Sequence, residues 1–138
     1  MNIVSEHRLL NDLAATRQIG AWVEQFAEAA RLAPSVRQAI DLALVEWVTN
    51  VISYAFEDSL EHWILIRMRL APGEACAEVE DDGREFNPLT RPPVDTSVPL
   101  EQRDVGGLGI HMITKLMDSV EHRRVEGRNI LTMRKRTG

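Results

Sequence analysis

Two stretches of this 138-residue chain each read as a strand, a tight turn and a second strand. That pair of hairpins constrains the fold more than any other feature. In HWILIRMRL, Ile64, Ile66, Met68 and Leu70 point one way while Arg67 and Arg69 point the other. Ala71-Pro72-Gly73-Glu74 has turn composition. ACAEVED then places Ala75, Ala77 and Val79 on one face and Cys76, Glu78 and Glu80 on the other. Ser119 to Arg124 and Asn129 to Arg134 repeat the arrangement around Glu126-Gly127-Arg128. Strands joined by short turns run antiparallel, because a parallel pair needs a crossover of roughly a dozen residues or more. The strand–helix alternation of a Rossmann or P-loop domain is missing.

The helices follow from a different period. Leu13, Ile19, Trp22, Val23, Phe26 and Ala30 fall mostly on one helical face, after an edge strand over Asn2 to Leu9. A second helix is expected from Ser35 to Phe56, opened by Pro34, with Ile40, Leu44, Val48, Val51 and Ala55 as its core stripe. Asn87 to Val105 hold four of the six prolines and little periodicity, which suits a lid or binding loop as well as a passive linker. Glycines then feed a third helix through GGLGIHMITKLM. The expected architecture is α+β: a two-layer sandwich, mostly antiparallel sheet, with helices on one face.

Composition narrows the function classes. The chain is 44% hydrophobic and 27% charged, which suits one domain over residues 1–138 with its own core. A net charge of −5 argues against nucleic acid as a direct partner. One cysteine, Cys76, excludes an internal disulfide and a Cys-rich zinc site, and fits a reducing cytoplasm. No signal peptide and no membrane span is visible.

Three sets of polar residues stand in unexpected places. In VEWVTNVISYAF, Glu46, Thr49, Asn50 and Ser53 form one stripe on an otherwise apolar helix. Glu46 and Asn50 lie one turn apart, so they can converge on one ligand. A carboxylate and an amide oxygen suit Mg²⁺, and the carboxylate equally suits proton abstraction from a hydroxyl. A plain solvent face is the bland alternative. In VEDDGREFNP, Asp81 continues the face of Ala75, Ala77 and Val79, which helices should cover. A carboxylate there needs a hydrogen-bond donor such as an amino group, and Gly83 permits a close backbone approach. An ordinary Asp-Gly turn is the alternative. In RDVGGLGIHMITKL, Gly106, Gly107 and Gly109 precede a helix and could cradle phosphate, although neither the Walker nor the dinucleotide pattern is met. No histidine has metal-ligand spacing with another histidine or with cysteine.

Taken together, a Glu-x-x-x-Asn helix, an Asp-x-Gly after a hairpin, a lid and a Gly-x-Gly by a helix resemble the Bergerat-fold ATPases, the superfamily of gyrase, heat-shock chaperone, histidine-kinase and mismatch-repair ATP sites. ALVEWVTNVISYAF, EDDGREFNP and PLEQRDVGGLGIHMITKLMDSVEHRRVEGRNILTMRK resemble, more narrowly, the anti-sigma serine kinases of bacterial partner-switching systems, the RsbW-like group. The resemblance implies ATP and Mg²⁺ as cofactors. It implies Glu46 as general base, Asn50 as Mg²⁺ holder, Asp81 as acceptor for the adenine amino group, and Gly83 against the base. It also implies Gly107 and Gly109 at the phosphate end of a lid over about 87–106, and Thr132 completing the adenine pocket. Arg103, in the lid, is placed near the phosphates by its charge. Glu85 and Tyr54 depart from the family pattern, where a glycine and a histidine are common.

The expected function is an ATP-dependent anti-sigma factor and protein serine/threonine kinase acting on an anti-anti-sigma (STAS-domain) partner in the cytoplasm. A sigma factor or another regulated protein would be its target, and a homodimer is plausible by resemblance. The alternative is a nucleotide-gated protein-binding regulator without kinase activity. A histidine-kinase catalytic domain ranks lower, since the ATP domain uses almost the whole chain.

Overall fold

The computed structural model describes residues 3–88 and 105–137. Five strands form one sheet: β1 (Val4–Leu10), β2 (Trp63–Ala71), β3 (Glu74–Asp81), β4 (Ser119–Val125) and β5 (Arg128–Arg136). Their order is β1-β2-β3-β5-β4, and every neighbouring pair is antiparallel. Three helices, α1 (Arg17–Ala30), α2 (Pro34–Tyr54) and α3 (Val105–Leu116), complete the expected α+β sandwich.

Both hairpins close as their turn residues require. Gly73 takes φ 75 behind Pro72, and Glu126 and Gly127 take φ 49 and φ 79. Two consecutive positive φ values give a turn whose twist matches that of the strands it joins, so the β4–β5 register is fixed by only two residues. Alternation decides the faces. Ile64, Ile66, Met68, Ala75, Ala77, Val79, Leu131 and Met133 are buried beneath the helices. The opposite face carries a lattice of charge. Arg67 reaches Glu6 at 3.1 Å, Glu80 at 3.3 Å and Glu78 at 3.6 Å, while Arg128 reaches Glu80 at 3.1 Å. Such half-exposed pairs contribute at most about 1 kcal/mol each. They do define what that surface presents.

The helix starts and stops have local causes. Asp12 accepts a hydrogen bond from the Ala14 N–H and opens a 3₁₀ turn over Leu13–Thr16. Leu13, expected in the core, lies in that turn and is 56% exposed. Arg31, at φ 55, ends α1 in the left-handed conformation, and Pro34 sits in the first turn of α2. On α2, Ile40, Leu44, Val48 and Val51 are buried as expected, together with Ala43 and Trp47. Each large apolar side chain among these contributes roughly 1.5–3 kcal/mol.

α2 stops two residues earlier than expected because the Ala55 carbonyl accepts from the Arg84 N–H at 3.0 Å, a partner across the fold rather than along the helix. α3 also departs from expectation. Gly106, Gly107 and Gly109 lie within its first turns rather than ahead of it. Packing of Ile110 and Ile113 into the core outweighs the roughly 1 kcal/mol that each helical glycine costs. The lid expected over 87–106 falls mostly outside the described residues, and its last two residues are helical.

Candidate nucleotide site

Of the expected residues, Glu46 and Asn50 lie on the C-terminal half of α2, and Asp81 and Gly83 at the end of β3 and in the loop after it, which meets α2 at Ala55. The Asn50 side-chain amide donates to the Glu46 carbonyl at 3.0 Å, and Asn50 is only 8% exposed. It is therefore not part of a solvent face. With its nitrogen occupied, Asn50 offers Oδ1, which has no partner among the described residues. Glu46 is half-buried one turn before it.

Asp81 is 1% exposed, at the end of β3 and on the helix-covered side of the sheet. Its Oδ1 accepts from the Gly83 N–H at 2.9 Å and from Asn129 Nδ2 at 3.1 Å. No partner for Oδ2 is found among the described residues. Burial pushes the Asp81 carboxyl above the ordinary carboxylate range, against the opposing effect of these two donors. Among the described residues Oδ2 is free to accept a hydrogen bond from a bound group.

Gly83 joins this carboxylate to α2. A Cβ there would lie 2.6 Å from the Ala55 Cβ, 2.7 Å from the Ala55 carbonyl oxygen and 2.9 Å from Asp81 Oδ1. The position therefore needs glycine because backbone packs against backbone. From the other side Arg124 donates to the Gly83 carbonyl at 2.8 Å. Nearby, His62 bridges Asp58 at 2.7 Å and Asp82 at 3.0 Å and stacks on Phe56. The hydrogen bond that His62 donates to Asp58 is the main cause raising the His62 pKa, with burial opposing it. An open cleft lined by Phe56, Asp58, His62, Asp82 and Arg84 lies on that side of the loop. Neither Asp81 nor Asn50 lines it.

One expected residue is elsewhere. Thr132 pairs with Glu78 across β3 and β5, and its hydroxyl contacts Glu78 Oε2 at 3.3 Å on the charged face of the sheet. It does not face Asp81. Side chains alternate along a strand, and the β5 residue opposite Asp81 is Asn129, three positions earlier and on the other face. Asn129 is 4% exposed and escaped the sequence reading. Gly107 and Gly109 lie in α3, and Arg103 is outside the described residues. Glu85 is exposed in the loop after Gly83, and Tyr54 is 44% exposed at the end of α2.

This is a strand-end carboxylate and a helical amide oxygen held in one unit by Gly83. The pattern of the histidine kinase-like ATPase domain family matches residues 9–135. The chain belongs to that family. Among curated relatives of this ATPase domain, the serine/threonine-protein kinase BtrW of Bordetella bronchiseptica is 26% identical over 114 residues, 81% of this chain and 79% of that protein. The serine-protein kinase RsbW of Listeria monocytogenes is 28% identical over 96 residues, 67% of this chain and 61% of that protein. Among solved structures, the RsbU and RsbW domains of a Mycobacterium tuberculosis protein superpose with a TM-score of 0.70 at 18% identity, covering 96% of this chain and 32% of that one. A blue-light activated histidine kinase of Erythrobacter litoralis gives 0.58 at 17% identity, over 86% of this chain and 42% of that one. These two likenesses bear on the fold, which is that of the ATPase domains. No helix among the described residues is long and apolar enough to cross a membrane.

Proposed function

We propose that this ATPase domain, a single unit over 1–138 with its lid at about 87–106, is a cytoplasmic protein serine/threonine kinase and anti-sigma factor. The observation that carries the reading is a pair of oxygens unclaimed among the described residues, Asp81 Oδ2 and Asn50 Oδ1, on elements locked together through Ala55, Gly83 and Arg84. The first suits the amino group of adenine. The second suits Mg²⁺, which takes few protein ligands and completes its shell with phosphate and water. When bound, that ion would offset charge on the transferring phosphate. Glu46 accepts the proton of a serine hydroxyl on the partner as its oxygen bonds to the γ-phosphorus and the bond to ADP breaks. Gly107 and Gly109 would serve the phosphates from α3, and Arg103 would serve them by its charge. The names of the Bordetella and Listeria relatives support a protein substrate. By the same resemblance the substrate is a STAS-domain anti-anti-sigma protein, and the sequestered target is a sigma factor or another regulated protein.

The test is phosphotransfer from labelled ATP in dialysed lysate of the host, with Mg²⁺ and with a chelator. A small protein labelled on serine or threonine only with Mg²⁺ is the expected result. ATP binding without any label would replace the kinase by a nucleotide-gated binding regulator.

The self-association we propose uses β1, which lies at the edge of the sheet. Asn11 donates to the His62 carbonyl, and Leu70 donates to that of Ile3. Odd-numbered residues of β1 thus turn their backbone groups toward β2, and Val4, Glu6, Arg8 and Leu10 turn theirs outward. Antiparallel pairing with a second copy about His7 sets Glu6 opposite Arg8 and Val4 opposite Leu10, twice over. A two-residue slip would instead oppose Glu6 to Glu6 or Arg8 to Arg8. Light scattering should therefore find a dimer for the wild type, monomer for Glu6→Arg, and dimer again when Arg8→Glu is added. An unchanged mass in the single variant would exclude this edge.

A further inference from the structure

The Asn129 side chain has no spare capacity. Its Nδ2 donates one hydrogen to Asp81 Oδ1 at 3.1 Å and the other to the Arg84 carbonyl at 2.8 Å. Its Oδ1 accepts from the Phe86 N–H at 3.3 Å and faces His122 Nε2 at 3.0 Å. Both partners of Nδ2 are acceptors, which fixes which end of the amide is nitrogen. Oδ1 can then only accept, so the His122 hydrogen lies on Nε2. His122 thus orients Asn129, and Asn129 orients Asp81.

The consequence concerns which purine edge Asp81 can read. A carboxylate offering both oxygens can take two parallel N–H donors, the pattern that N1–H and the 2-amino group make on guanine. Asp81 cannot do this, because Oδ1 is committed to Gly83 and Asn129. One oxygen is left, which matches the single amino donor of a 6-amino purine. We propose that Asn129, positioned by His122, is a specificity-determining residue that makes this site select adenine over guanine nucleotides by holding one oxygen of Asp81. It acts through Asp81 and need not touch the nucleotide. The inference rests on the nucleotide reading of the site given above.

The test measures ATP and GTP affinities by calorimetry for the folded full chain. The wild type should prefer ATP strongly. Asn129→Leu should lower ATP affinity about tenfold and compress the ATP-to-GTP ratio by a similar factor, a step equivalent to one broken hydrogen bond of about 1.4 kcal/mol. His122→Phe should compress the ratio less, and His122→Gln, which keeps a donor, should restore it. The His122 variants decide the matter if Asn129→Leu does not fold. A loss shared equally by both nucleotides would reflect damage to the loop alone and would overturn the inference. A wild type that binds neither nucleotide would overturn the nucleotide reading itself, and the inference with it.

Discussion

Glu46→Gln should bind ATP as the wild type does and transfer phosphate to its protein partner about 10²–10⁴-fold more slowly, the range a lost general base costs. The substitution keeps size and polarity and removes only the capacity to take a proton. Glu46 is half-buried, and its backbone carbonyl, rather than its carboxylate, accepts the Asn50 amide. The variant therefore leaves the helix and the Asn50 orientation intact. Calorimetry with ATP and single-turnover transfer to the purified partner separate binding from chemistry. Equal transfer rates would remove Glu46 from the reaction and return the α2 stripe to a purely binding role.

Asp81→Asn should produce two effects of opposite sign. Nucleotide affinity should fall about 10–150-fold, the equivalent of about 1.5–3 kcal/mol for a hydrogen bond to a charged acceptor, because an amide would turn a donor toward the amino group. Stability without nucleotide should hold or rise. The carboxyl is raised first by burial and further by Asp82, with Asn129, Gly83 and Arg124 pulling the other way. A raised acid folds more favourably when protonated. Its penalty on stability is absent below the unfolded pKa and grows as pH rises to the folded one. The amide variant escapes that penalty, so its stability relative to the wild type should improve as pH rises through the acid range. ATP affinity of the wild type should increase over the same range, since a proton on Oδ2 would turn a donor toward the amino group, and that of the variant should stay flat. Melting curves and binding isotherms at several pH values check both signs. A destabilised Asp81→Asn protein would mean that the charge is better accommodated than its surroundings indicate.

Much of the fold was legible because local chemistry and distant packing agree. The alternation of HWILIRMRL and the Pro-Gly turn led to β2 and β3 with their faces correctly assigned, and the same face rule put Asp81 beneath the helices. The Glu46–Asn50 turn was legible from helical spacing alone. What failed has physical reasons. In β5, Ile130, Leu131, Thr132 and Met133 are apolar or nearly so on both faces, which hides the parity of the strand. The pairing of β5 with β3 bridges some fifty positions (Asp81 opposite Asn129), and no turn residue encodes it. Thr132 was therefore expected in the site and Asn129 was not. The three glycines at the start of α3 have low helix propensity, and the burial of Ile110 and Ile113 decides that segment instead.

The two faces of the sheet differ in chemistry. Asp81, Asn129 and His122 work on the helix side, while the Arg67, Glu78 and Glu80 lattice lies on the other. Substitutions in that lattice can rewrite which protein surfaces it attracts or repels without moving a residue that the catalytic side depends on. For a kinase of the proposed kind that docks its partners on this face, charge swaps there would separate the circuits of duplicated copies while leaving the nucleotide side untouched.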